Sequence, residues 1–192
     1  MENKKGFTLL ELLIVIAILA ILAAAVLVVI NPAEILKKSR DTRRVNDLDS
    51  LRSALAMYIT DVSSPDLDGA GNCSNTEWIS TTDAAASCRS NPAPATCNKS
   101  EGTAVDGSGW IPVNLSSIST GSPIASLPLD PTNDDTYFYS YRCDGTNTTF
   151  ELNADLESTY YTTTISAETK DGGNDTDLYE VGTDPGLDLI SP

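Results

Sequence analysis

The side chain with the most chemistry to do is Glu11. It lies in a stretch of twenty-four residues, Phe7 to Ile30, whose only other polar side chain is Thr8. A carboxylate at the centre of a bilayer costs roughly 2.5–3.5 kcal/mol on insertion scales, and less nearer the edge. Such a group faces a partner rather than lipid, and the identity of that partner governs the reading of the chain. Elsewhere the inventory is sparse. There is no histidine, which removes the commonest general base, the commonest transition-metal ligand and every Ser–His or Cys–His nucleophile pair. No spacing singles out two carboxylates for acid–base work, so the chain reads as a non-enzyme. Cys73, Cys88, Cys97 and Cys143 all follow the apolar segment, in a Ser/Thr/Asn/Gly-rich and exported-looking region. That setting favours two disulfides, with three pairings open on spacing alone. A zinc site is the alternative, and the lack of a CxxC pair argues against it.

Glu11 must be positioned by the apolar segment itself. Leu12 to Ile30 is an unbroken apolar run of nineteen residues, and at about 1.5 Å per residue it spans roughly 28 Å, close to the hydrocarbon thickness of a bilayer. It leaves no polar face for a soluble core helix. A cleaved secretory signal peptide is the rival reading, since Lys4 and Lys5 give a basic start and Ala20 to Ala25 holds small residues. The run is too long for an ordinary signal and carries Glu11 near its start. Asn31, Pro32 and Glu34 then form a capping-box-like start for a second helix over 31–62. Its apolar residues Ile35, Leu36, Val45, Leu48, Leu51, Leu55, Ile59 and Val62 recur mostly three or four apart. The opposite face carries Lys37, Arg40, Asp41, Arg44, Asp47 and Arg52, so the helix is amphipathic and buries one stripe.

Residues 63–125 are rich in Ser, Thr, Asn, Gly and Pro and read as loops braced by the cysteines. In Thr149–Glu157, Phe150, Leu152, Ala154 and Leu156 alternate with Glu151, Asn153, Asp155 and Glu157. Tyr137, Tyr139 and Tyr141 alternate likewise, and Asp144-Gly145 lies between the two runs. The pattern predicts a β-hairpin with one wet face in an antiparallel sheet. Further strands are expected near Tyr160–Ile165 and Leu178–Val181. The fold class is α+β: a long N-terminal helix, with a membrane half and an amphipathic half, packed on a C-terminal antiparallel sheet in 63–192.

Charge is split along the chain. Residues 1–52 hold eight of the twelve Lys/Arg against six acids, whereas residues 53–192 hold four against twenty-one. Phosphate binding needs basic groups to displace counterions, so direct nucleic-acid binding is not expected. The basic cluster Lys37, Lys38, Arg40, Arg43 and Arg44 reads as a solvated helix face or a headgroup contact, or else as a surface that meets acidic neighbours in a filament. By the positive-inside rule this cluster alone would hold the C-terminal part in the cytoplasm. The cysteines and the loop-rich composition point to export instead.

GFTLLELLIVIAILAIL, preceded by Lys4-Lys5, resembles the prepilin signature of type IV pilins and type II secretion pseudopilins; the resemblance covers about residues 1–60. In that family a prepilin peptidase cuts after the glycine and methylates the new N-terminus. The resemblance therefore implies a leader over 1–6, with Gly6 its last residue and Phe7 the first of the mature chain. It also implies an assembly helix over 7–30 and an extracytoplasmic domain over 63–192. Cleavage would leave a cationic amine on Phe7 among apolar helices, and Glu11 of a neighbouring copy would neutralise it. Ala17, Ala20 and Ala23 to Ala25 would let the helices approach closely. The implied partners are copies of this chain in a helical filament, the prepilin peptidase, inner-membrane assembly machinery and, before assembly, membrane lipid. The expected place is a single-pass cell membrane, then an extracellular or periplasmic filament. Two other readings stand beside the pilus: a pseudopilin of a type II secretion system, and a monomeric membrane-anchored surface-binding protein.

Pro128-Leu129-Asp130-Pro131-Thr132-Asn133, followed by Tyr137 to Tyr141, is similar to the proline–aspartate–proline turn and tyrosine-rich strand of major pseudopilins. Those proteins carry calcium in a Gly/Asp-rich loop near the C-terminus, and Lys170 to Asp177 looks like that loop. Calcium takes six to eight oxygens, to which Asp171, Asn174, Asp175 and Asp177 would contribute. A solvated acidic hairpin is the alternative. Five Asn-x-Ser/Thr sequons start at Asn72, Asn98, Asn114, Asn147 and Asn174, and in a chain of this composition many arise by chance.

Overall fold

The computed structural model of the protein describes residues 6–190, apart from the side chains of residues 27–29. Lys4, Lys5 and the rest of the expected leader before Gly6 lie outside the described residues. The chain divides into two units that meet between Lys37 and Lys38.

The first unit is built on helix α1, Leu9–Ile30. Its 22 residues extend about 33 Å, and Leu9–Val26 is long and apolar enough to cross a membrane. Every described side chain along it is exposed. At its C-terminal end Asn31 takes the left-handed conformation, with φ 45°, and its carbonyl accepts the amides of Glu34 and Ile35 at 3.0 and 3.3 Å. Helix α2, Pro32–Asp61, follows at once. Asn31 thus ends α1 with its backbone, a role in which Asn tolerates positive φ, and does not take the extended backbone of the side-chain cap expected from sequence. Ile35 and Leu36, expected on the apolar stripe, are exposed.

The second unit takes in the remainder of α2 and a five-stranded sheet. The strands are β1 (Thr76–Ile79), β2 (Thr96–Lys99), β3 (Tyr139–Asp144), β4 (Thr149–Ala154) and β5 (Tyr179–Gly182), in the order β2-β1-β3-β4-β5. All pairs are antiparallel except β1 with β2. The expected hairpin is β3–β4, with Tyr141 opposite Leu152 and Cys143 opposite Phe150. These residues, with Trp78, Ala154 and Val181, form one sheet face and share a core with Leu48, Leu51, Ala54, Leu55 and Tyr58 of α2. The stripe on α2 and the apolar face of the hairpin cover each other.

Four details differ from the sequence reading. The buried stripe of α2 starts with Asp41 and Arg44, which the sequence pattern puts on its polar face. Segment 63–125 holds β1 and β2 and, beyond them, contributes Trp110, Ile111, Val113, Leu115 and Ile118 to the core; its core residues lack the long apolar periodicity that announces a strand. The second face of the hairpin is not wet, since Ser140, Glu151 and Asn153 are buried. Tyr160–Thr164 is a turn of π-helix rather than a strand. All four cysteines are paired, Cys73 with Cys143 and Cys88 with Cys97.

Candidate functional site

At the start of α1, Gly6 and Phe7 precede the first helical turn and Thr8 is its N-cap. Helix starts leave four amides without intrahelical partners. Here Thr8 Oγ1 accepts the Glu11 amide at 3.2 Å, and Glu11 Oε2 accepts the Thr8 amide at 2.9 Å. The Thr8 hydroxyl lies 2.9 Å from the same Oε2. Two orphan donors are satisfied reciprocally, as a Thr-x-x-Glu box allows, and the carboxylate sits where the helix dipole favours negative charge. The signal is present in the sequence as Thr8-Leu9-Leu10-Glu11. Glu11 Oε1 has no hydrogen bond among the described residues. Phe7 is 83% exposed, and a side chain at Gly6 would meet nothing within 4 Å. The arrangement can therefore present one carboxylate oxygen, at the mouth of an apolar rod, to a cation from outside, with the Gly6–Phe7 bond open beside it.

The basic cluster behind the apolar run proves largely spent within the fold. Arg44 is fully buried, and its Nε and Nη2 reach the two oxygens of Asp130 at 2.6 and 3.0 Å. Its Nη1 reaches Asp41 at 2.7 Å and Glu157 at 2.8 Å. Arg40 meets both oxygens of Glu157 at 2.5 and 2.7 Å. The Arg40 bond, helped by Arg44 and opposed by burial, holds the Glu157 carboxyl down to about 2. Burial opposes the charge on Arg44, but Asp130, Glu157 and Asp41 outweigh it and raise the guanidinium further. Arg43 lies 3.4 Å from Asp47, and Lys38 Nζ stands 3.3 Å over the Tyr160 ring. The Pro128–Asn133 turn gains its purpose here: Asp130 also accepts the amides of Thr132 and Asn133, so one carboxylate folds the turn and receives Arg44.

The Gly/Asp-rich loop is organised by its own backbone. Asp171 accepts the amides of Gly173 and Glu180 at 3.0 and 2.9 Å, one on each oxygen. Asp175 Oδ1 accepts the Asp177 amide at 2.8 Å. Glu180, not singled out from sequence, accepts the Asp175 amide at 2.9 Å, and a side chain on Gly173 would occupy the space its carboxyl fills. Among the described residues no three Asp, Glu, Cys or His groups gather as a metal ion requires. Both oxygens of Asp171 and Oδ1 of Asp175, expected among the calcium donors, are thus engaged by backbone amides. A cleft of 480 Å³ is lined by Cys73, Ser90, Asn91, Arg142 and Asp144, and in it the Ser90 hydroxyl donates to Glu77 at 2.7 Å and accepts from Arg142 at 3.0 Å.

Residues 1–27 match a family model described as the prokaryotic N-terminal methylation motif. The match takes in Gly6, Phe7, Thr8 and Glu11 and most of α1, and none of the second unit. No curated protein and no solved structure matches the chain.

Proposed function

We propose, from the type IV pilin and pseudopilin signature that this chain carries, that it is a structural subunit of a pilus-like filament. It is cut between Gly6 and Phe7 by a prepilin peptidase and drawn from the inner membrane by assembly machinery supplied in trans. The carrying observation is the first turn of α1, where a single carboxylate is held in place by Thr8 on a helix otherwise apolar on all sides. Before assembly lipid covers that helix. In the filament the α1 helices of other copies replace lipid, and the amine on Phe7 of one copy meets Glu11 of another. Two charges that are costly alone become one pair, which selects register and stagger more than it adds stability. Packing of Leu, Ile, Val and Ala side chains does the holding.

The test is co-expression with a prepilin peptidase, followed by mass spectrometry of the mature protein and electron microscopy of sheared filaments. A chain beginning with methylated Phe7, and filaments lost in Glu11→Ala, are expected. Native material that begins at another residue, or normal filaments from Glu11→Ala, refutes the proposal.

A further inference from the structure

Among the described residues the second unit exposes two large apolar side chains, Met57 at 45% and Tyr160 at 37%. Tyr160 opens the π-helical turn Tyr160–Thr164, and Lys38, near the start of α2, holds its ammonium 3.3 Å from the centre of that ring. Met57 lies nineteen residues after Lys38 on the same helix, about 28 Å further along it.

Around Tyr160 the surface is basic and aromatic, in a unit that is elsewhere acidic. Tyr161 meets the Tyr160 ring edge-on at 5.2 Å and shares a hydrogen bond with Thr42 of α2 at 3.2 Å, so the turn is fastened to the helix. Lys170 Nζ donates to the Ile165 carbonyl at 2.6 Å and brings a second ammonium to the turn. Residues 158–170 hold one acid, Glu168, and it is buried. Asp41 of α2 and Glu157 after β4 are answered by Arg44 and Arg40. Residues 53–192 as a whole carry twenty-one acids against four bases, so this face is an exception to its surroundings.

Position along the chain indicates what the face meets. Lys38 is eight residues past Ile30, where α1 ends, or about 12 Å at the helical rise. Headgroups extend roughly 5–8 Å beyond the hydrocarbon on each side. Helical side chains lean toward their N-terminus, here toward the end at which α1 stops, and lysine stems stretch to place their charge in the polar layer. Tyrosine is enriched where a bilayer meets water, and anionic lipid supplies a negative surface that attracts basic groups close to it.

We infer that Lys38, Lys170 and the Tyr160–Tyr161 turn form a seat that rests the second unit on anionic phospholipid headgroups before assembly. The inference depends on α1 being the membrane anchor of the proposed function, and adds to it a contact at headgroup level. Tyr160 enters the interface while Lys38 and Lys170 meet phosphates. Extraction of a subunit must then break this contact as well as withdraw α1, so the anionic lipid content governs how readily subunits leave.

The experiment places the full chain in phosphatidylglycerol or phosphatidylcholine vesicles whose acyl chains carry bromine near the headgroup, a contact quencher of tryptophan. Trp78 and Trp110 are buried and give the baseline in the unmodified chain. In phosphatidylglycerol, Tyr160→Trp is expected to lose about half or more of its added emission and Met57→Trp none. Phosphatidylcholine, or Lys38→Gln combined with Lys170→Gln, is expected to restore most of that loss. Leu19→Trp reads α1 separately and should be quenched in both lipids. Quenching of Leu19→Trp with Tyr160→Trp untouched overturns the seat and leaves the anchor standing, whereas Leu19→Trp untouched overturns both. A blue shift of Tyr160→Trp that grows with the protein-to-lipid ratio, without quenching, gives the face to a second copy and also overturns the inference. In the unmodified chain the Ile165 amide should exchange several-fold more slowly in phosphatidylglycerol than in phosphatidylcholine, and equal rates refute the seat.

Discussion

Arg44 offers the sharpest test of how the second unit is held. Replacing it with Met keeps most of the stem volume and removes the guanidinium, leaving Asp41 and Asp130 fully buried with Glu157 beside them. Three carboxylates then face one another with only Arg40, itself partly exposed, to answer them. Breaking a buried pair by deleting one partner costs about 3–5 kcal/mol, because the surviving charge is uncompensated. For a chain of this size about 1 kcal/mol shifts Tm by roughly 2–4 °C, so a fall of roughly 6–20 °C is expected. Urea unfolding followed by tryptophan fluorescence is the assay, since Trp78 and Trp110 both lie in the core; the midpoint should drop with an unchanged slope. The pH dependence adds a second check. Glu157 is held down to about 2, chiefly by Arg40, so its stabilisation is present above the ordinary carboxylate range and is lost as pH falls toward that value. The deficit of Arg44→Met should narrow in acid, where protons neutralise the abandoned carboxylates. A loss below about 1 kcal/mol, the scale of an exposed ion pair, or a deficit that widens in acid, refutes the reasoning.

Other outcomes follow from the same geometry. Thr8→Ala removes one half of the reciprocal cap and should cost about 1 kcal/mol at the helix start, read as faster amide exchange at Glu11, whereas Thr8→Ser should behave as the parent. Removing Cys73–Cys143, which closes a separation of 70 residues, should cost about 4 kcal/mol, and removing Cys88–Cys97, with a separation of 9, under about 3 kcal/mol; the urea midpoints of the two double Cys→Ser variants give the order. Gly173→Ala should expel the Glu180 carboxyl from its seat and lower the thermal midpoint, while Gly172→Ala, where a side chain meets open space at φ 96°, should show backbone strain alone.

Local patterning was enough to place α1, the apolar stripe of α2, the β3–β4 hairpin and β5. α1 is announced by an unbroken apolar run and the others by patterns that one stretch of chain carries unaided. What it could not disclose was which partner covers a surface. Asp41 and Arg44 fall in step with Leu48, Leu51 and Leu55 on the helix, yet their charge places them outside until Asp130 and Glu157 are known to arrive. Glu151 and Asn153 alternate as solvated residues do, yet Glu151 is covered where the Leu189 and Ile190 amides reach its carboxylate and Asn153 lies against Glu180 of β5. β1 and β2 are four residues each, too short for a period-two signal to rise above the surrounding Ser, Thr and Asn. At the helix start the opposite held: the Thr8–Glu11 box is wholly local and could have been found from the spacing.

The Arg44 cluster also dictates an order of events. Asp130 and Glu157 lie 86 and 113 residues beyond Arg44, so a chain synthesised from its N-terminus displays Arg40 and Arg44 bare long before their counterparts exist. Until those acids have been made, Asp41 is the one carboxylate of the cluster available to Arg44, so a chain cut short before Asp130 lacks the partners that let this guanidinium be buried.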